Sequence, residues 1–202
     1  MGAVTNITPV VSKIYCFSSQ TTLMVRRRPQ IVNGGGLVVM NSNQKVVFSV
    51  DGCGILGVKG ELILRDGDGA PVLFIRKKGG VVQALSAHNR WNSYLMDYER
   101  PSKLVFSLRE PKSRLLTKSA IKISIDAKEN GKDGNFEVKG SFSERACTIM
   151  DRRGNVVAQV GLKETMANKD FYHVVVQPGY DQAFVIGVIA ILDNIHGEST
   201  RC

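Results

Sequence analysis

The segment "DQAFVIGVIAILDN", residues 181–194, limits the folds open to this chain more than any other. From Ala183 to Leu192 it runs ten residues without a charged or strongly polar side chain, with Asp181 before the run and Asp193 after it. Ten residues fall well short of the ~20 a helix needs to cross a bilayer, so no transmembrane span is expected. A buried strand and a buried helix remain. Val185, Ile186, Val188, Ile189 and Ile191 are β-branched and argue for strand. Length argues for helix, and so does the left flank, where Pro178-Gly179 turns the chain and Asp181 can serve as N-cap. Helix is the stronger reading. Such a helix is apolar on every side and must be enclosed. Asp193 near its C-terminus opposes the helix dipole and calls for a basic partner or open solvent.

The rest of the chain supplies the enclosure. In "KVVFSV", Val46, Phe48 and Val50 share one face, with Lys45 and Ser49 opposite. In "KLVFSLR", Leu104, Phe106 and Leu108 oppose Lys103, Ser107 and Arg109; in "IKISID", Ile121, Ile123 and Ile125 oppose Lys122, Ser124 and Asp126. Leu62 and Leu64 pair in the same way, as do Val138 and Phe142. Period-two alternation marks strands with one wet and one buried face. Asn41-Ser42-Asn43-Gln44, Asp66-Gly67-Asp68-Gly69 and Asp151-Arg152-Arg153-Gly154-Asn155 read as the turns between them. Roughly eleven to thirteen strands are expected. The stretches around the second and third turns look alike, a weak hint of duplication. A barrel of eight strands holds only side chains, so one enclosing a helix needs on the order of eleven or twelve. The predicted fold is therefore mainly β, a barrel of about twelve strands closed around a central C-terminal helix. Burying Phe184, Val185, Ile186, Val188, Ile189, Ile191 and Leu192 at ~1.5–3 kcal/mol each gives a gross gain on the order of 10–20 kcal/mol. The barrel is placed over residues 15–198 as one domain, with flexible segments at 1–14 and 199–202.

Charge narrows the partners. The net charge is +9 among 202 residues, which favours anionic partners without choosing one. Three basic clusters stand out: Arg26-Arg27-Arg28, Arg76-Lys77-Lys78, and Lys112, Arg114 and Lys118. Arginine grips phosphate with a fork and lysine as a point charge. The competing reading for each is a solvated strand end. Direct nucleic-acid binding is not expected, because zinc ligands, a basic helix and an RNP-type aromatic signature are missing from the sequence.

Other features take their ordinary structural readings. Asn33-Gly34-Gly35-Gly36 lacks the P-loop pattern and reads as a turn. His88, His173 and His196 have no metal-like spacing, so no metal or cofactor is expected. Cys16, Cys53, Cys147 and Cys202 form no C-x-x-C pair, and reduced thiols are expected. Cys147 reads as a small buried hydrophobe, Trp91 as a core or rim anchor, and Glu144-Arg145 as a structural ion pair near a barrel rim that could serve as partner for Asp193. No nucleophile elbow or HExxH pair proposes a catalytic residue.

"YDQAFVIGVIAILDNI", "FEVKGSFSERACTIMD" and "GDGAPVLFIRKK" together resemble the LURP-one-related (LOR) family of plants, over about residues 15–198. The resemblance places the chain with the tubby C-terminal domain and the phospholipid scramblases, and implies a twelve-stranded tubby-like barrel around a hydrophobic helix. It implies a non-enzymatic module of plant defence or signalling. The tubby relationship implies peripheral membrane tethering through phosphoinositide. No tubby phosphoinositide motif maps onto this chain residue by residue. The cysteine cluster and acidic calcium loop of scramblases are not present in the sequence. The expected partner is anionic phospholipid, gripped by Arg26, Arg27, Arg28, Arg76, Lys77 and Lys78. The alternative is a scaffold that binds a signalling protein and no lipid. The expected location is cytoplasmic, peripheral at a membrane or nuclear.

Overall fold

The computed structural model describes residues 9–29, 35–52, 58, 60–79, 88–97, 100–111, 121–125, 135–162 and 170–196. These residues form twelve strands and one α-helix. The strands are β1 (Thr21–Arg28), β2 (Gly36–Met40), β3 (Val46–Asp51), β4 (Glu61–Asp66), β5 (Pro71–Lys77), β6 (His88–Asp97), β7 (Arg100–Pro111), β8 (Ile121–Ser124), β9 (Phe136–Ser141), β10 (Ala146–Asp151), β11 (Val156–Gly161) and β12 (Phe171–Val176). Each pairs antiparallel with its sequence neighbour, and β1 pairs with β12, so the sheet closes into a barrel. Helix α1 (Gln182–His196) follows β12.

Alternation sets the register. Leu23 and Val25 on β1 face Val174 and Tyr172 on β12, and all four are buried. Trp91 faces Leu108 and Ile123 faces Phe136 across the opposite wall. The inward rows leave an axial space that α1 fills. Every residue of the helix from Gln182 to Asp193 is buried, the fate that the apolar run required. Phe184 meets Phe106 edge-on at 5.2 Å and Phe136 at 4.9 Å. Gly187 lets the helix lie close to the wall, since a Cβ there would lie 3.1 Å from Leu73 and 3.2 Å from Phe106.

Three hairpins use one local device. Asn41 Oδ1 accepts from the N–H groups of Asn43 and Lys45, Asp66 Oδ1 from those of Asp68 and Ala70, and Asp151 Oδ1 from those of Arg153 and Asn155. In each, the fourth residue takes a positive φ (Gln44, Gly69, Gly154). A register shift sits beside each turn. The shared turn chemistry accounts for the likeness of the two stretches in sequence.

Asp181 caps α1 as expected, accepting from Phe184 N at 3.1 Å. Its other oxygen accepts from Val11 N and Ser12 N at 2.7 and 2.9 Å. Residues 9–14, expected to be loose, are thereby tied across the helix entrance, with Val10 and Val11 packed on the core. Burial pushes the Asp181 carboxyl up, against the lowering effect of these N–H donors. Of the expected flexible segments, residues 1–8 and 199–202 lie outside the described residues.

Candidate anion-binding surface

In an all-antiparallel barrel the odd-numbered strands run in one sense, so β1 and β5 end at the same rim, where α1 also ends. The two basic triplets therefore share a rim. They do not share a face, because β2, β3 and β4 lie between them.

The β1 triplet is divided by strand alternation. Arg26 points outward and is exposed. Arg27 points inward, which removes it from the expected phosphate ligands: its side chain is 6% exposed, and its Nε and Nη2 donate to Asp193 Oδ1 at 2.8 and 2.7 Å. Asp170 adds a contact at 3.3 Å. The basic partner that Asp193 required is thus Arg27. Arg145 joins it at 3.8 Å, its guanidinium held between the rings of Phe142 and Tyr172 at 4.4 and 4.2 Å. Arg28 is also committed, donating from Nη2 to Val50 O at 2.7 Å and to Asp51 at 2.9 Å. Burial pushes the Asp51 carboxyl up, but hydrogen bonds from Arg65 and Arg28 outweigh it and hold the group below the usual carboxylate range. As a phosphate grip the triplet is reduced to Arg26.

The β5 triplet fares differently. Arg76, Lys77 and Lys78 are all exposed, and Arg76 lies 5.4 Å over the Tyr94 ring. Lys78 N donates to Arg90 O at 2.7 Å, extending the β5–β6 ladder by one residue. From there the register runs Arg90 to Arg109 and Arg109 to Lys122. Trp91, Leu108 and Ile123 face inward, so Arg90, Arg109 and Lys122 occupy outward positions. Four cations on four adjacent strands therefore stand in one cross-strand row. Like charges directly opposite on a sheet are destabilising. Arg90 Nη2 reaches Ser107 Oγ at 3.4 Å, while its Nε is buried without a hydrogen-bond partner.

Lys122 leads from this row into a groove of roughly 650 Å³, lined by Lys122, Phe136, Glu137, Lys139, Asp151, Arg152, Arg153 and Gly154. Its two acids are engaged. Glu137 holds Lys139 at 2.7 Å, and Asp151 accepts from Asn155 Nδ2 and from the Tyr180 hydroxyl. Slight burial pushes the Asp151 carboxyl up, yet its hydrogen bonds from Asn155, Tyr180 and the Arg153 N–H leave it lowered. The groove and the row form one basic wall over β5–β11. In the ring of twelve strands β7 lies diametrically opposite β1, so this wall faces away from Arg26.

Of the bases expected to grip phosphate, Arg76 and Lys78 lie on this wall, beside Arg90, Arg109, Lys122, Lys139, Arg152 and Arg153, which the sequence did not group with them. The outward positions of Arg109 and Lys122 were legible in the alternation. What was lacking was the register that sets them side by side. Lys112, Arg114 and Lys118 lie outside the described residues, as do Asn33 and Gly34. Gly36 opens β2. Cys147 is buried, with its thiol pushed up to about 11 by burial. Among the described residues no three potential metal ligands converge, and no helix is long and apolar enough to cross a membrane.

Comparison with known proteins agrees with this architecture. The family model described as LURP-one-related matches residues 21–193. Protein LURP-one-related 6 of Arabidopsis thaliana is 54% identical over 196 residues, covering 96% of this chain and 98% of the relative. Protein LURP-one-related 16 of the same plant is 52% identical and covered in full, as is this chain. An X-ray structure of an Arabidopsis thaliana protein superposes with a TM-score of 0.67 at 23% identity, over 93% of this chain and 98% of that one, a likeness of fold. None of these names states a reaction. The match spans all twelve strands and the enclosed helix as far as Asp193, and on that ground the chain belongs to the LURP-one-related family.

Proposed function

We propose that this protein is a non-enzymatic, tubby-like module that binds anionic phospholipid, phosphoinositide included, at a membrane surface. Its setting would be the plant defence or signalling to which the family resemblance points. The observation that carries the reading is the cross-strand row Lys78–Arg90–Arg109–Lys122, continuous with the groove. Cations in direct register present several donors to one anion laid over them. A polybasic surface gains about 1 kcal/mol per residue near an anionic leaflet. A broad wall of outward bases fits a leaflet better than an enclosed ligand, since the groove is open and its two acids are already engaged.

Co-sedimentation with vesicles tests this. Wild type is expected to pellet with vesicles containing phosphatidylserine and phosphoinositide, and to be released by salt. Lys122→Gln/Arg152→Gln/Arg153→Gln should weaken binding roughly 100-fold, taking three residues at about 1 kcal/mol each. Arg26→Gln, on the opposite wall, should change little. Equal behaviour on neutral and anionic vesicles would remove the lipid reading and leave a protein-interaction scaffold in its place.

A further inference from the structure

The rim at which α1 enters the barrel carries a second feature. The segment tied down by Asp181 makes one 3-10 turn, Lys13–Tyr15. Tyr15 turns inward, its ring 5.3 Å from that of Phe48. Ile14 and Phe17 turn outward and are 73% and 51% exposed, the two most exposed large hydrophobic side chains among the described residues. Lys13 is exposed beside them. The backbone that presents them is fixed: Cys16 forms a β-bridge with Asp181, and Gly179 N donates to Phe17 O at 2.6 Å.

The same short path leads to the basic groove. Tyr180, next to Gly179, donates its hydroxyl to Asp151 Oδ2 at 3.0 Å, and Asp151 anchors the turn bearing Arg152 and Arg153. Two apolar side chains thus sit on a fixed support at the rim that also carries Arg152, Arg153 and Lys13. On the β4–β5 side the same rim carries Asp68 and Asp66, whose charge reaches Tyr15 on the inner side of the turn, and the bases stand on the other side, at the β10–β11 turn. Two side chains are far too few for a stable protein interface, which buries about 1,000 Å² or more. They suit insertion to the headgroup and acyl boundary, where apolar burial adds to the attraction of adjacent bases for anionic lipid.

We propose that Ile14 and Phe17 form an apolar tip that enters an anionic bilayer while Arg152 and Arg153 engage its phosphates, so that the barrel docks on the corner between the β8–β11 wall and the helix-entry rim. The proposal rests on the lipid reading above and adds an orientation to it. Phe17→Trp is the reporter, because the native Trp91 is 2% exposed and gives a constant background. On vesicles of phosphatidylcholine, phosphatidylserine and phosphoinositide, emission from the introduced indole should shift to the blue and be quenched by lipids brominated along the acyl chain. Ile14→Ser/Phe17→Ser should retain the wild-type melting temperature and lose vesicle affinity by roughly 100-fold. Wild type and Phe17→Trp pelleting with vesicles, without quenching and with no loss in the serine variant, would overturn the tip and leave the lipid reading standing. Insertion that is equal on neutral vesicles would overturn its coupling to Arg152 and Arg153. Failure of wild type to pellet with any vesicle would overturn both.

Discussion

At the rim where α1 ends, one carboxylate holds two guanidinium groups. Asp193 is fully buried, Arg27 nearly so, and Arg145 has a 1% exposed side chain. Buried ions of this kind contribute little net stability over an apolar replacement, yet removing one partner strands the other. Arg27→Met is therefore expected to cost ~3–5 kcal/mol by urea denaturation. Asp193→Asn should cost at least as much, because it removes the one buried carboxylate that both guanidinium groups share, leaving Arg27 with the largely exposed Asp170. A value for Arg27→Met within about 1 kcal/mol of wild type would show that the pair is not the constraint described. The contrast with Arg26, one residue away and in solvent, shows how far a residue's role depends on the parity of its position. Three consecutive arginines read as one cluster in a linear sequence, whereas on a strand they alternate between core and solvent.

Among the elements, α1 is the one whose sequence is most demanding. Its residues Phe184, Val185, Ile186, Val188, Ile189, Ile191 and Leu192 are at most 1% exposed. A charge placed there has no partner and no route to water. Ile189→Asp should abolish soluble expression, and recovery of a folded, soluble variant would contradict the enclosed helix. The strands were legible by alternation, and their turns by Asn, Asp and Gly. Some strand positions depart from that pattern: Ile63 on β4, predicted outward by parity, is buried opposite Phe74. The 3-10 turn at Lys13–Tyr15 was not legible, because three residues carry no periodicity. Its partner is Asp181, some 170 positions away.

For the molecule as a whole, the closed sheet and the helix inside it have no independent cores. The strands' inward rows pack on α1, and α1 packs almost wholly on them. Unfolding is expected to be a single cooperative transition, with Trp91 fluorescence and far-ultraviolet circular dichroism coinciding along a denaturant titration. Separated transitions would mean that part of the barrel holds together without its axis. Closure also decides the distribution of surface charge at this scale. It carries Arg26 to one side and the Lys78–Lys122 row to the other, and it brings the β10–β11 turn beside the N-terminal segment. The basic wall and the apolar tip exist only as products of that closure.

By itself the sequence determined the strand periodicity, the turn chemistry, the need to bury residues 183–192 and hence a barrel around a helix. All of these follow from the spacing of apolar and turn-forming residues along the chain, which is local information. Only the tertiary structure decided which charges meet. Pairing register and barrel closure join residues far apart in sequence, and no spacing rule encodes whether Arg109 lies beside Lys122 or whether Arg27 finds Asp193. Burial withdrew Arg27, ion pairing committed Arg28, and register assembled a basic wall from bases spread between Arg76 and Arg153 in the sequence.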